Sequence, residues 1–272
     1  MEYESLLELW IATMRGRGLS ERTIADRRRI LTSFARALDI DPASATEDNV
    51  IVWLSRNIAQ TSREHYWSTL RVWFTWLEER ELLDTNPTAK IGRPRTPSGL
   101  PKPASREHIR RVLKSGICRT TRTKIILAVY AGMRVSEIAA FRGECLDQTS
   151  EKIRILGKGG RDDILPAHRE ILAESTHYPS VGYWFPSPTN IDGHVTGNSV
   201  SAVISRAFDR LGLDVTAHQL RHYFATSLLE QGVDSRIVQT LMRHSSLATT
   251  GRYLKVLERQ QRSALDSLAT IM

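Results

Sequence analysis

The residue types best suited to chemistry in this 272-residue chain are concentrated between Thr216 and Tyr253. His218 and Arg221 are three residues apart, so on a helix they would share one face and could point into one pocket. His244 follows a second predicted helix, and Tyr253 comes nine residues after it. Two imidazoles, a guanidinium and a phenol are what an enzyme needs to attack a phosphodiester without a metal ion. This stretch therefore predicts phosphoryl-transfer chemistry with a tyrosine nucleophile.

Two further basic residues lie upstream in settings that suit a phosphate ligand. Arg134 directly follows Ala-Gly-Met at a predicted helix start, where backbone N–H groups also face outward. Lys158 lies at the tip of the glycine-rich hairpin G-K-G-G-R-D, where glycines allow close approach of another backbone. Taken singly, the first could be an ordinary charge at a helix start and the second an ordinary turn lysine.

The order of these motifs closely resembles that of the tyrosine recombinases, the phage-integrase and Xer-like family. The segments R-V-S-E, G-K-G-G-R and H-Q-L-R-H are followed by a further His and, nine residues on, a Tyr. The resemblance covers nearly the whole chain. It implies a mainly α fold with a small β-sheet in the catalytic domain, in a two-domain DNA clamp. It also implies site-specific recombination through a 3′-phosphotyrosine intermediate, with Glu137 holding the pocket together.

The chemistry of a phosphodiester explains the roles of these residues. Attack builds negative charge on the non-bridging oxygens, which Arg134 and Arg221 could bind as bidentate forks. Tyr253 has an ordinary pKa of about 10, so it needs a proton acceptor, and His218 suits that role. The predicted catalytic set is Arg134, Lys158, His218, Arg221, His244 and the nucleophile Tyr253.

The two remaining roles concern the leaving group and the transition-state charge. Lys158 suits a general acid that protonates the leaving 5′ oxygen, and His244 would donate a hydrogen bond to a phosphate oxygen. The ester energy is kept in the phosphotyrosine link, so rejoining needs no ATP. The sequence shows no Walker loop and no carboxylate cluster for Mg²⁺, so we expect neither a cofactor nor a metal ion.

One residue departs from the family pattern. Members usually have Gly before the second His, whereas this chain has Arg243 before His244. Our hypothesis is that Arg243 adds a phosphate contact. Unchanged DNA binding and cleavage in Arg243→Gly would contradict it.

The charge balance points to nucleic acid as the partner. Lys and Arg number 38 against 30 Asp and Glu, which gives a net charge of +8. The two cysteines fit no metal spacing and no disulfide framework, and no secretory leader or membrane-length apolar run is visible. We therefore expect a DNA-associated protein in the cytoplasm of a bacterial or phage-infected cell, without a membrane partner.

The chain is predicted to fold as two domains. Residues 1–85 form a helical core-type DNA-binding domain, 86–103 a basic Pro-rich linker, and 104–272 the catalytic domain with a C-terminal tail. Five of the six tryptophans lie in the N-terminal helices at core spacing. Further helices are predicted at about 20–38, 62–80, 106–114, 121–131, 198–211 and 234–242, with short strands around 153–155 and 164–165. The predicted N-caps are Ser20, Thr46 and Ser105.

Clusters of basic residues mark the expected DNA contacts. Between residues 15 and 36 there are seven arginines and two acids, and between 90 and 114 there are eight basic residues and one acid. The residues predicted to contact DNA are Arg27, Arg28, Arg29, Arg93, Arg95, Lys102, Arg161 and Arg243.

The resemblance implies a homotetramer on two double-stranded core-type DNA sites, formed from a chain that is monomeric or weakly associated in free solution. One alternative is a type IB topoisomerase, which would act as a monomer, relax supercoils and show little sequence preference. Another is a DNA-binding protein with a vestigial site. Salt dependence of binding would not separate these functions, because all three neutralise phosphates.

Overall fold

A computed structural model describes residues 3–95, 102–157 and 162–243 of the chain. The chain divides into two compact units, residues 1–99 and residues 100–272, which we call the N-terminal unit and the C-terminal unit. Each is described by itself below.

The described residues of the N-terminal unit form four α-helices. They are α1 (Tyr3–Gly16), α2 (Glu21–Leu38), α3 (Glu47–Ser55) and α4 (Gln60–Glu78). The side chains of Ser20 and Thr46 accept hydrogen bonds from the backbone N–H groups of Thr23 and Asn49, which satisfies donors that a helix start leaves unpaired. Both N-caps were predicted from the sequence and are confirmed.

Tryptophans form the centre of this unit. Trp10, Trp53 and Trp73 are at most 1% exposed, and Trp10 meets Trp73 edge to face with ring centroids 5.1 Å apart. Trp67 and Trp76 are also buried. The prediction that most of these five residues are core is therefore confirmed, and all five are buried.

The segment after α4 differs from the predicted linker. Asn86 donates a side-chain hydrogen bond to Thr75 and accepts one from the backbone of Thr88, which is fully buried. The indole of Trp67 donates to the carbonyl of Ile91. Residues 86–95 therefore pack against α4, because polar side chains and carbonyls give this proline-containing stretch fixed partners without regular secondary structure.

The C-terminal unit contains seven described helices and a small sheet. Its elements are α5 (Arg106–Lys114), α6 (Arg119–Tyr130), α7 (Val135–Ala139), β1 (Leu146–Asp147), β2 (Lys152–Leu156), β3 (Asp162–Pro166), α8 (Arg169–Ser175), α9 (Gly197–Asp209), α10 (Ala217–Glu230) and α11 (Ser235–Met242). Most bounds lie within two residues of the predicted ones, and Ser105 caps α5 as expected. The two-residue β1 and the short α8 were not predicted.

The three strands form an antiparallel sheet in the order β1-β2-β3. Ile153 pairs with Leu165 and Ile155 pairs with Asp163, and the two isoleucines are buried on one face. The predicted strands around the glycine-rich connection are therefore confirmed.

Helix α6 forms the centre of the C-terminal unit. It packs against α8, α9 and α10, and Ile125, Ile126, Leu127 and Ala128 are at most 1% exposed. The second half of α6 is apolar on every side, and such a segment must be enclosed by its neighbours. The loop after α6 therefore emerges from a rigid element. In the described part of the chain, no helix is long and apolar enough to cross a membrane.

Candidate active site

The loop between α6 and α7 is fixed by close packing on α10. Gly132 has a φ of 55°, a conformation that L side chains rarely adopt. A Cβ at this position would lie 2.5 Å from Cδ1 of Phe224. Only glycine lets the chain pass here, and the turn places Arg134 two residues later at the start of α7.

Arg134 and Glu137 form a closely bonded pair at the start of α7. The backbone N–H of Arg134 donates to Oε2 of Glu137 at 2.8 Å, and its Nη1 donates to Oε1 at 2.6 Å. The Arg134 side chain is 43% exposed, whereas that of Glu137 is 5% exposed. The guanidinium is thus anchored from the protein side and open to solvent on the other, as a ligand for an external phosphate requires.

Arg221 lies on α10 with its guanidinium turned into the protein. Its Nη1 donates to the carbonyl of Gly132 and its Nη2 to the carbonyl of Met242 at 2.5 Å, and the residue is 4% exposed. One side chain therefore joins the α6–α7 loop to the end of α11. Thr216 caps this helix through Gln219, which fixes the first turn that carries the site residues.

His218 lies on the first turn of α10 and is exposed. Partial burial of its ring and the positive charges of Arg221 and Arg134 hold the pKa of His218 below its ordinary value. The imidazole is therefore neutral at pH 7, the form that accepts a proton.

His222 packs beside His218. The ring centroids are 4.2 Å apart and the rings are nearly perpendicular. Burial, with smaller contributions from the neighbouring His218 and from the positive charge of Arg221, lowers the pKa of His222 to about 4. His222 is thus a neutral neighbour that limits the space available to the His218 ring.

Arg243 ends α11 in the left-handed conformation, with a φ of 52°. This is the backbone geometry that explains why glycine is common at this position in the resembling family. The side chain points inward and is 3% exposed. Its Nη1 donates to the carbonyls of Ala131 and Leu241, and its Nη2 donates to the carbonyl of Gly132.

Arg243 also forms an ion pair with Glu137. Its Nη2 donates to Oε2 of Glu137 at 2.8 Å, while its backbone carbonyl accepts from Nη2 of Arg134 at 3.3 Å. Burial alone would raise the pKa of Glu137, but the charge of Arg243 and the hydrogen bonds from Arg134 outweigh it and hold that pKa below the ordinary value. The site therefore contains a buried carboxylate with a cation on each side.

The inward direction of Arg243 differs from the phosphate contact proposed for it above. Its guanidinium is enclosed by carbonyls and a carboxylate, and only 3% of the side chain reaches solvent. Sequence reasoning singled out the position but not this partner, because Glu137 lies 106 residues away along the chain. The signal available in the sequence was that Glu137 and Arg243 carry opposite charges and that each lies in a motif with predicted catalytic residues.

Four predicted residues lie outside the described ranges. They are Lys158, Arg161, His244 and Tyr253. The structure thus brings together Arg134, Glu137, His218, Arg221 and Arg243, and it ends one residue before His244. Within the described ranges, no three His, Cys, Asp or Glu side chains are placed to hold a metal ion.

The three consecutive arginines of α2 point in different directions, since successive residues on a helix are turned by about 100°. Arg27 is half-buried, with its Nη1 3.6 Å from the sulfur of Met14. Arg28 and Arg29 are exposed and line a shallow depression along α2 that also contains Arg36 and Thr32. Only Arg28 and Arg29 are therefore exposed enough to contact a polyanion directly, in exchange for their carboxylate partners Glu8 and Asp26.

The other described residues predicted to contact DNA are on the surface. Arg93 is 71% exposed and pairs with Glu64 at 2.6 Å. Arg95 and Lys102 are exposed. Each can reach a ligand in solvent.

Comparisons with known proteins give a consistent result. A sequence model described as the phage integrase family matches residues 108–260, more than half of the chain. The tyrosine recombinase XerA of Pyrococcus horikoshii is 33% identical over 193 residues, which cover 67% of this chain and 66% of that protein.

Solved structures extend the similarity over most of the chain. The integrase from mycobacterium phage Brujita is 35% identical, with a TM-score of 0.53, and covers 96% of this chain and 90% of its own. Lambda integrase as a dimer bound to a core site has a TM-score of 0.74 at 19% identity and covers 92% and 97%. The same integrase as a tetramer bound to a Holliday junction has a TM-score of 0.73 at 19% identity and covers 90% and 78%.

Proposed function

The chain belongs to the phage integrase family and is a tyrosine recombinase, and we propose that it catalyses site-specific DNA recombination, as integration and excision or as resolution. One observation carries the proposal. Arg221 bonds to the carbonyl of Gly132, and Arg221 and Arg134 bond to the successive carbonyls of Met242 and Arg243 at the end of α11, from which the chain continues directly to His244. His218 lies three residues before Arg221 on the first turn of α10. Two guanidinium groups beside a neutral imidazole suit a phosphodiester that is attacked by a weakly acidic hydroxyl.

In the proposed first step, the phenol of Tyr253 attacks the scissile phosphate. His218 is neutral because its pKa is lowered, so it can accept the phenolic proton as the new P–O bond forms. Arg134 and Arg221 stabilise the charge that develops on the non-bridging oxygens, and His244 donates a further hydrogen bond.

The products of this step are a 3′-phosphotyrosine and a free 5′-hydroxyl. The bond from phosphorus to the 5′ oxygen breaks, and Lys158 supplies the proton that this oxygen takes up. In the reverse direction, a 5′-hydroxyl from a second duplex attacks the phosphotyrosine and releases Tyr253. One phosphodiester is exchanged for another, so no high-energy cofactor is consumed.

Contacts to the DNA backbone are proposed for both units. In the N-terminal unit, Arg28 and Arg29 share an exposed face with Arg36. Arg93, Arg95 and Lys102 flank the undescribed residues 96–101 and are exposed as well. Each such contact releases counterions, so binding should weaken steeply with salt.

We propose a homotetramer on two core-type sites as the active assembly. Exchange of two duplexes requires four strand cleavages, and one tyrosine per chain then requires four chains. One structural neighbour of this chain, lambda integrase bound to a Holliday junction, is such a tetramer. Sedimentation of the chain with and without two synaptic duplexes measures the assembly, and a stable 1:1 complex at recombination-competent concentrations would contradict it.

Covalent trapping tests the reaction. A binding site is first selected from random duplexes. The wild-type chain and Tyr253→Phe are then incubated with a nicked suicide duplex that carries this site, without divalent metal. We expect a denaturation-resistant protein–DNA adduct for the wild type and none for Tyr253→Phe.

Three outcomes separate the alternatives. No adduct despite tight, sequence-specific binding would establish a DNA-binding protein without catalysis. An adduct that forms on any sequence, with rapid relaxation of supercoiled DNA by a monomer, would establish a topoisomerase. An adduct that persists in Tyr253→Phe would mean that another residue is the nucleophile.

A further inference from the structure

The position of Arg243 combines two unfavourable features that need an explanation. A non-glycine residue in the left-handed region is strained, and a guanidinium that is 3% exposed has lost its hydration. Neither feature helps a residue whose purpose is to end a helix, because glycine would end α11 without either cost. The contacts of the Arg243 side chain indicate which role offsets these two costs.

The Arg243 side chain reaches the two parts of the protein that set the position of Arg134. It donates to the carbonyls of Ala131 and Gly132, in the loop that leads into α7. It also donates to Oε2 of Glu137, while the Arg134 guanidinium holds Oε1 of the same carboxylate. The carboxylate is therefore fixed from both sides, and the arginine nearer to solvent is held by a partner that cannot turn.

The backbone of the same residue completes the arrangement. Its carbonyl accepts from Nη2 of Arg134 at 3.3 Å. The carbonyl of Met242, one residue earlier, accepts from Arg221 at 2.5 Å. The left-handed turn at Arg243 thus presents successive carbonyls to the two guanidinium groups proposed to bind the phosphate.

From these contacts we propose that Arg243 is a positioning residue for strand cleavage. It acts through Glu137 and the Ala131–Gly132 carbonyls to hold Arg134 in the orientation that binds the phosphate, and it makes no DNA contact itself. This inference rests on the proposed function, since it concerns the rate of the proposed cleavage step.

Without Arg243, Glu137 keeps only Arg134 as a partner among these charged groups. A buried carboxylate with one cation would draw that cation inward, away from a bound phosphate. A displacement of about 1 Å in a catalytic group can cost about 100-fold in rate. We therefore expect Arg243→Met, which keeps an unbranched apolar stem and removes the guanidinium, to form the Tyr253 adduct about 10- to 100-fold more slowly in single-turnover conditions.

DNA binding provides a readout that separates positioning from phosphate contact. A positioning role predicts the same dissociation constant within about twofold and the same salt slope for Arg243→Met. A phosphate contact predicts weaker binding and a slope of log K against log salt reduced by about 0.9. That second result would overturn the proposal.

The coupling between Arg243 and Glu137 provides a readout that separates positioning from general destabilisation. We expect Glu137→Gln alone to slow cleavage, because it leaves the Arg243 guanidinium buried without its carboxylate. The double variant Arg243→Met/Glu137→Gln removes both charges together and should be no slower than the slower single variant. Rate losses that multiply in the double variant would mean that the two residues act independently and would contradict the proposal.

The pH profile adds a further check on the same pair. Arg243 opposes the effect of burial on Glu137, so its removal should raise the pKa of this carboxyl. We expect the ratio of the Arg243→Met rate to the wild-type rate to fall as the pH is lowered into the range where Glu137 of the variant takes up a proton, because protonation weakens its hold on Arg134. His218, which interacts with Arg134, and Asp163, which interacts with Arg243, are present in both chains. The ratio for the double variant should be flat, since Gln does not titrate in this range.

Two further variants complete the design. Arg119→Met is the matched control, because Arg119 is 52% exposed and lies at the far end of α6, about 18 Å from Ala131. Its adduct rate should equal that of the wild type. Arg243→Lys keeps a positive charge near Glu137, so it should form the adduct faster than Arg243→Met. An adduct rate no higher than that of Arg243→Met would count against the ion pair.

The failure of this inference is distinguishable from the failure of the proposed function. If the wild-type chain forms no Tyr253-dependent adduct, the proposed function is wrong. If the wild type forms the adduct and Arg243→Met forms it at the same rate, the recombinase function stands and the positioning role is wrong.

Discussion

The two units of this protein use arginine in opposite ways. In the N-terminal unit, Arg28 and Arg29 are 55% and 60% exposed and pair with surface carboxylates on their own or a neighbouring helix. In the C-terminal unit, Arg221 and Arg243 are almost fully buried and bond to backbone carbonyls of the α6–α7 loop and the end of α11. The first arrangement suits exchange of one anion for another, and the second suits a site that is already formed before the substrate arrives.

The energetic consequences of the two arrangements also differ. An exposed ion pair contributes about 0–1 kcal/mol, so DNA phosphates can replace its carboxylate at little cost. Removing one partner of a buried pair costs about 3–5 kcal/mol, because the remaining charge has no compensation. The N-terminal unit should therefore tolerate changes to its arginines, and the C-terminal unit should not.

The same substitution in the two units should give the largest contrast. Arg221→Lys keeps the charge but cannot bond to the carbonyls of Gly132 and Met242 and also bind a phosphate bidentately. We expect its single-turnover adduct rate to fall about 10²- to 10³-fold. Arg29→Lys, on the exposed face of α2, should change the rate less than twofold. Equal effects at the two positions would refute the distinction between the units.

Glycines with positive φ offer a contrast in packing. Gly132→Ala places a Cβ against the ring of Phe224, and we expect a loss of about 3 kcal/mol in unfolding free energy. Gly18→Ala, in the N-terminal unit, has a φ of 72° but no atom within 4 Å of the new Cβ, so the loss should be about 1 kcal/mol.

Amide hydrogen exchange in each unit measures the loss of unfolding free energy in both glycine variants. Phe224→Leu in the Gly132→Ala background should recover part of the lost protection, because a smaller side chain relieves the contact. If Gly18→Ala proves as costly as Gly132→Ala, backbone strain alone would explain both, and close packing on α10 would have no separate effect.

The exposed arginines of α2 should give the smallest effects. Arg28→Ala and Arg29→Ala should each reduce the salt slope of DNA binding by about 0.9 and leave the adduct rate at saturating DNA unchanged. Stability should change by about 0.5 kcal/mol or less. Fluorescence anisotropy at several salt concentrations measures the slope.

Arg27→Ala is the neighbouring control for this experiment. Arg27 is half-buried against Met14, so we expect a smaller change in slope and a larger change in stability. The reverse pattern would place the DNA-facing side of α2 elsewhere.

Local signals in the sequence predicted most of the fold. Ser20, Thr46 and Ser105 precede helices with the side-chain chemistry of N-caps, and each cap is present. The tryptophan spacing predicted the core of the N-terminal unit. Such features depend on residues within one helical turn, which a single sequence contains in full.

Features that depend on distant partners could not be predicted in the same way. The inward turn of Arg243 depends on Glu137, in another motif, and on a backbone conformation that arginine seldom adopts. Strand β1 has two residues, too few for a periodic pattern. The prolines after α4 correctly excluded a helix, but they did not reveal that Asn86 and Thr88 fix residues 86–95 to α4.

The closed circuit of Arg134, Glu137 and Arg243 has a consequence for how this sequence can change over evolutionary time. Each member bonds to the other two, through side chains or through the Arg243 carbonyl. A single change from Arg243 to the glycine common in its family would leave Glu137 without one of its two cations. Glycine at this position is therefore not a neutral replacement in this sequence, and compensating changes around Glu137 would have to come first.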